Sequence, residues 1–478
     1  MPTSDRRRRR DLEREMQRAT DYDAWRAAAD ALDRLEGNDD WREDDEGTLI
    51  DAALLRTQIR ELEARGEITD VDSAAALEAT LTESLYCNLN EATAPLLYRQ
   101  THSGETKRVV GDWLDACVAA LDRLRTAEVP GLSREVRRKR FARALDNLGQ
   151  TALMLSGGGA WGLYHLGVVQ ALRMQGLLPS VISGSSMGAI VAAGVGVRTD
   201  EELDALYADP TVIHRMAVRL MGPRGMWEHR SLLSPEQLGE HVSTNVGAWT
   251  FAEAFARTGR VLNVSVSPTR ARQKPRVLSH RTAPDVLVAD ATVASCAIPG
   301  LFPSVALRQR MPDGRVLPYV PTERWVDGSL RGDLPLRRIG RLHNVNHFVV
   351  SQANPFVLPF VTQHHQDLAT RAARFAGSLL RAQSAAVLDE TRRRVTSNRV
   401  RPLLDMAHAL AAQHYGGDID IHPRVPPTQF VRIMSNPSME QLRAYILGGE
   451  QATWPHLAVI RDQTRITRAL AGIVEGLG

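Results

Sequence analysis

The chain has 478 residues, 43% of them hydrophobic and 24% charged, with a formal net charge of +3. That length calls for more than one domain, and the balance is that of a water-borne globular protein with no call for a nucleic-acid partner. Cys87, Cys117 and Cys296 are too few and too widely spaced for a disulfide framework or a cysteine-based metal site, so neither metal nor cofactor is expected.

Residues 1 to about 15 read as a frayed, Arg-rich lead without the apolar core of a secretory signal, which suits a cytoplasmic protein. From Tyr22 onward the pattern is helical: Ala24, Ala27, Ala28, Ala31 and Leu32 form a stripe, with further helices expected over 49–64, 72–85 and 109–124. Asn88-Leu89, Leu97-Tyr98 and Gly104–Lys107 read as interruptions. A basic helix over 133–143 reads either as a solvated face or as an anchor for anionic lipid headgroups.

Residues 151–197 carry no Asp or Glu and read as strand, glycine run, helix, strand, sharp turn, helix. Strands without charge suit a parallel sheet buried on both faces. The stretch 179–197 approaches the length of a membrane helix, but its Gly and Ser content assigns it to a core, so no segment is expected to span a bilayer. Gly184-Ser185-Ser186-Met187-Gly188 fits G-x-S-x-G, where small residues two before and two after the serine permit a tight strand-to-helix turn. The helix that follows aims its positive end at Ser186. Upstream, Gly157, Gly158 and Gly159 expose backbone N–H groups suited to a phosphate or an oxyanion. Gly157, Gly159 and Gly162 also fit G-x-G-x-x-G, but no acidic residue stands about 20 positions on, so the oxyanion reading is preferred over a dinucleotide fold.

Beyond the nucleophile region, helices are expected over 201–207, 235–246 and 290–296, strands over 260–266, 276–278 and 344–351, and a hairpin over 311–319 that brings in Trp325-Val326-Asp327 as a strand end. Between the first two helices, 220–230 reads either as a mobile apolar wall near an acyl site or as core packing. A long helix is expected over 366–394, packed on the sheet, with closing helices over 439–470.

Gly157–Gly162 with His165-Leu166-Gly167-Val168, then Gly184–Gly188, then Ala294–Pro303 and the turn Asp327-Gly328-Ser329, together resemble the patatin-like phospholipases. Ser329 stands where Gly or Ala is usual in the family. The helical N-terminal region, and His347–Phe360, resemble the subgroup with a DUF3336-type domain, which includes triacylglycerol lipases of yeast and plant lipid droplets. The resemblance implies an α/β fold with a parallel-rich sheet sandwiched by helices, an N-terminal all-helical domain over 1–145, a catalytic domain over 150–345, and a last strand with a helical extension over 346–478.

It also implies a serine lipid acyl hydrolase of the triacylglycerol lipase type. Ser186 is then the nucleophile, Asp327 the base, and Gly157, Gly158, Gly159 and Met187 the oxyanion donors, with Gly162, Gly184, Gly188 and Gly328 supporting the turns. The alternatives are a phospholipase A, a lysophospholipid acyl hydrolase or an acyltransferase of the same fold, and a non-catalytic lipid-surface scaffold. The residue order also permits a triad of Ser186, Asp327 and either His343 or His347. His165 is expected to pack a helix, and Asp333 to tie the loop after Asp327. The expected partner is the lipid substrate, at a membrane or lipid-droplet surface to which the protein is peripheral.

Overall fold

The computed structural model describes residues 3–45, 49–213, 233–270, 273–329, 333–354, 416–423 and 435–478. The chain divides into two compact units: Met1–Thr151 with Ala171–Leu177 and Glu450–Gly478, and Ala152–Gln170 with Leu178–Gly449. The expected connection over 220–230 and the expected helix over 366–394 lie outside the described residues.

The first unit is helical: α1 (Thr3–Arg18), α2 (Tyr22–Glu36), α3 (Asn38–Glu43), α4 (Ala52–Ala64), α5 (Val71–Ala92), α6 (Arg108–Thr126), α7 (Arg134–Leu148) and the C-terminal helix Leu457–Gly476. The frayed lead expected at the start is instead α1, which buries Leu12 and carries an Arg9–Glu13 pair one turn apart. Asn88-Leu89 does not break α5 either; a capping box of Asp70 and Ser73 starts that helix, and it runs on to Ala92. Leu77, Leu81 and Leu85 of α5 and Trp113, Leu114, Cys117 and Leu121 of α6 recur at helical spacing and form the core. Ile466, Leu470 and Ile473 complete it, so residues 450–478 of the helical extension belong with the N-terminal helices.

Four basic residues of α7 have partners within the helical unit. Arg134 donates to the carbonyl of Gly476 (2.8 Å), Arg137 to those of Ala127 (2.8 Å) and Arg125, while Arg140 pairs with Glu78 and Lys139 with Glu135, each at 2.7 Å. Most of these side chains are exposed, which suits the solvated-face reading, and their partners compete with the headgroup-anchor reading.

The second unit is built on a sheet of order β4-β3-β2-β1-β8-β9, with β7 also pairing β3. Its strands are β1 (Gln150–Leu155), β2 (Val181–Gly184), β3 (Val261–Pro268), β4 (Arg276–Leu278), β7 (Trp325–Asp327), β8 (Val345–Ser351) and β9 (Ile419–Ile421); a separate hairpin joins β5 (Arg308–Arg310) to β6 (Val316–Pro318). β1, β2 and β3 are parallel, as are β8 and β9, while β4 and β7 run antiparallel to β3. Around the sheet lie α8 (Tyr164–Met174), α9 (Met187–Gly196), α10 (Asp200–Ala208), α11 (Pro235–Val246), α12 (Phe251–Thr258), α13 (Val288–Cys296), α14 (Leu336–His343) and α15 (Met439–Thr453).

The register gathers four chain segments at one edge. Leu155 pairs Gly184, and Gly184 pairs Val264, so β1 and β2 end level. Asp327 pairs Val266, two residues further out on β3, and the Ser156 N–H donates to the Ser351 carbonyl at the end of β8 (3.1 Å). This is the carboxyl edge, where open α/β sheets hold ligands. Among the described residues no helix is long and apolar enough to cross a membrane.

Candidate active site

Ser186 joins β2 to α9 at φ 53° and ψ −124°. Among the described residues only one other non-glycine, Asn344, has positive φ, and Asn344 ends a helix in the left-handed region that asparagine tolerates. Serine at this combination is strained, by roughly 1–3 kcal/mol. The turn is enforced by close backbone packing. A Cβ on Gly184 would stand 2.6 Å from the Ala189 nitrogen, and one on Gly188 would stand 2.7 Å from the Leu155 carbonyl carbon. The Ser186 N–H donates to Ser295 Oγ (3.0 Å), whose hydroxyl donates to the Ser265 carbonyl (2.7 Å). The elbow is thereby fastened to α13 and β3.

The glycine loop lies against this serine. A Cβ on Gly157 would be 3.4 Å from those of both Ser186 and Ser329. Gly158 abuts the Ala353 carbonyl oxygen, which a Cβ would approach to 2.7 Å, and a Cβ on Gly162 would stand 2.6 Å from Met187 Cγ. Gly159 has φ 54°, a second reason for glycine there. The Gly157 N–H, expected to face an oxyanion, donates instead to Asp333 Oδ1 (2.9 Å). The N–H groups of Gly158, Gly159 and Met187 donate to no described residue.

Asp327 is fully buried, while Ser186 keeps 8% exposure. A Cβ on Gly328 would press within 2.7 Å of the Ser265 Cβ, so the turn after Asp327 is packed onto β3. Asp327 Oδ1 accepts the Ser329 N–H (2.7 Å); among the described residues Oδ2 is buried without a partner in hydrogen-bonding geometry. Burial pushes this carboxyl up to about 7; Ser329 opposes the shift, the Asp333 charge adds to it, and the adjoining Ser186 hydroxyl opposes it weakly. Burial and the Asp327 charge also push the Cys296 thiol well above its usual range.

Among the described residues no histidine is hydrogen-bonded to Asp327. His343 Nε2 donates to Asn263 Oδ1 (2.7 Å), and burial takes its ring down to about 4. His347 lies on β8 four residues before Ser351, roughly 13 Å back from the carboxyl edge by strand rise. His165 is buried, donating from Nε2 to the Ser156 carbonyl (3.0 Å) and accepting the Ser351 hydroxyl at Nδ1 (2.7 Å); burial holds it neutral, down to about 4. It locks the loop to β8, as a packing residue would.

Sequence reasoning missed Ser295 and Asn354, which reach the site from 109 and 21 positions away from their partners. Both stand in quoted motif segments, but nothing in their spacing marks them as polar ties.

The patatin-like phospholipase profile matches residues 153–338, and DUF3336, a domain of unknown function, matches residues 3–146. A patatin-like phospholipase domain-containing protein of Aspergillus terreus is 32% identical over 98% of this chain and 69% of its own length. The chain belongs to the patatin-like phospholipase family. Family members of the same description from Emericella nidulans and Pyricularia oryzae are each 33% identical, over 98% and 97% of this chain. The chain spans 65% and 63% of their lengths. Within the patatin-like match lie the elbow, the glycine loop, Asp327 and Asp333, while Asn354 lies past its end.

Proposed function

We propose that this patatin-like protein is a serine lipid acyl hydrolase working through a Ser186–Asp327 dyad. The observation that carries the reading is a strained serine beside a buried carboxylate with an open Oδ2. A carboxylate raised to about 7 is a competent base near neutral pH. Ser186 Oγ attacks the acyl carbonyl carbon and its proton passes to Asp327 Oδ2. The carbonyl oxygen becomes an oxyanion facing the N–H groups of Gly158, Gly159 and Met187, backed by the N-terminus of α9. Collapse breaks the ester C–O bond, and Asp327 returns the proton to the leaving alkoxide. Water then attacks the acyl-enzyme by the same route and releases the fatty acid. The donors carry much of the barrier; losing one has cost about 3 kcal/mol elsewhere.

For substrate we propose triacylglycerol, on the order DUF3336 then patatin-like, which resembles the lipid-droplet lipases. The relatives' printed name favours phospholipid, and that is the second reading. Emulsified long-chain triacylglycerol and phosphatidylcholine vesicles, presented to the purified protein at matched interfacial area, separate the two. Faster release of fatty acid from triacylglycerol is expected; faster release from phospholipid returns the second reading. A protein that hydrolyses neither, and takes up no fluorophosphonate at Ser186, is a lipid-surface scaffold instead.

A further inference from the structure

One residue, Asp333, ties three separate segments together beside Ser186, two through its carboxylate and one through its backbone carbonyl, and the mechanism above does not use it. Asp333 Oδ1 accepts the Gly157 N–H (2.9 Å), its backbone carbonyl accepts the Ser185 hydroxyl (2.7 Å), and its Oδ2 accepts from Asn354 Nδ2 (3.4 Å). The residue is buried, and burying a carboxylate is unfavourable unless donors compensate it. Its donors are the glycine loop and the residue three past the end of β8, and its carbonyl holds the elbow residue before the nucleophile. The segments it joins are those whose mutual placement decides whether an oxyanion meets its donors.

We infer that Asp333 is a positioning residue for the acyl-transfer step, holding the glycine loop at the distance from Ser186 at which the Gly158 and Gly159 N–H groups face the oxyanion. The inference rests on the hydrolase reading for its chemistry and on the geometry alone for the tether. Without the acceptor the Gly157 N–H is buried and unsatisfied, and the loop gains its hydrogen bond only by moving outward to water. A displacement of about 1 Å in such a site is worth on the order of a hundredfold in rate. Neighbouring ties do not replace it. Ser156 Oγ accepts the Ala353 N–H (2.8 Å) and donates to the Gly157 carbonyl (2.9 Å), which fixes the loop toward β8 but not toward the elbow. His165 holds the Ser156 carbonyl from the same side.

This role differs from that of a plain core residue in what it should move. The chemistry it governs is stabilisation of a transition state, so Asp333→Ala is expected to lower kcat about 30- to 100-fold on a soluble short-chain nitrophenyl ester while KM stays within threefold. Asp333→Asn keeps an acceptor for the Gly157 N–H and, with the Asn354 amide turned over, a partner for its own amide nitrogen. It should recover kcat to within fivefold of the starting protein. Amide hydrogen exchange reads the tether without any turnover. In Asp333→Ala the peptide covering 156–159 should exchange at least tenfold faster, with β2 and β3 unchanged, and in Asp333→Asn it should stay protected.

Unchanged kcat in a folded Asp333→Ala protein overturns the inference. So does an Asp333→Asn variant as slow as Asp333→Ala, or faster exchange spread over the whole sheet. If Asp333→Ala does not fold, Asn354→Ala, which removes the bond to Oδ2 and leaves the Gly157 tether in place, stands in for it; it should lower kcat at least threefold at constant KM, and no loss overturns the inference. A starting protein that neither turns over ester nor labels at Ser186 sinks the hydrolase reading instead, while exchange at 156–159 still decides the tether.

Discussion

The two units bury charge in opposite ways. In the helical unit Glu105 lies between Arg26 (2.8 Å) and Arg461, which grips it through two nitrogens at 3.0 and 3.1 Å. Burial alone would raise that carboxyl, but the hydrogen bonds from Arg461 and Arg26 overcome it and hold it down to about 2. Asp33 likewise takes N–H groups from His102 and Ser103 and the amide of Asn38. In the sheet unit Asp327 has burial without a cation among the described residues, one oxygen without a partner, and a carboxyl raised to about 7. Next to it stands a serine in a conformation that serine avoids. One site spends its environment on stability; the other holds a carboxyl and a serine in states that folding alone would not choose.

The sharpest way to break that contrast is to remove the groups themselves. Ser186→Ala and Asp327→Asn should each lower kcat by about a thousandfold or more, in steady-state hydrolysis of a soluble ester. Asp327→Asn should also raise the melting temperature. The folded carboxyl stands above its unfolded value of 3.8, so its contribution to stability is present below pH 4 and lost as pH rises toward 7. The variant's gain should therefore be larger at pH 8 than at pH 5, read by thermal unfolding at both. A gain that is absent at pH 8 would mean that Asp327 is not desolvated as described.

Backbone changes come next. Gly184→Ala places a methyl against the backbone of α9 and should cost about 3 kcal/mol or more, seen as loss of soluble protein or a fall in melting temperature. In the helical unit, Glu105→Ala takes one carboxylate from the partly exposed Arg26 and Arg461, which keep Asp30 and Asp462, and a loss of about 2 kcal/mol is expected in denaturant unfolding. Loss of less than about 1 kcal/mol would mean that this carboxylate is not the compensated charge its contacts indicate. The smallest effect belongs to Gly194→Ala in α9. There a Cβ meets only the flexible end of Arg198, at 3.4 Å, so unfolding should stay within about 1 kcal/mol of the starting protein, on the stabilising side.

Much of the catalytic sheet edge was legible because its constraints are local. Gly184 and Gly188 flank Ser186 within one turn, and the strands before them are uncharged runs, so motif and topology read together. The fate of the Gly157 N–H was not legible, because its acceptor lies 176 positions downstream and no spacing rule connects them. The same applies to the C-terminal helix: Ile466, Leu470 and Ile473 announce an apolar face, but not that the face closes the N-terminal core. α1 escaped for a different reason. Its Arg run reads as a solvated lead, while the single buried Leu12 and the packing of α1 on α2 make it a helix. The bond from His343 to Asn263, which weighs against that histidine in a triad, is one that sequence order could not foresee.

The dyad is tested most directly by the pH dependence of kcat/KM for a soluble ester, which reports the base in the free protein. With Asp327 as the base, the rate rises with pH through a midpoint near 7, since only the ionised carboxylate accepts the Ser186 proton. In His343→Gln that limb should stay in place at nearly full height, and in Asp327→Asn it should vanish. A limb that disappears in His343→Gln and survives in Asp327→Asn would contradict the account.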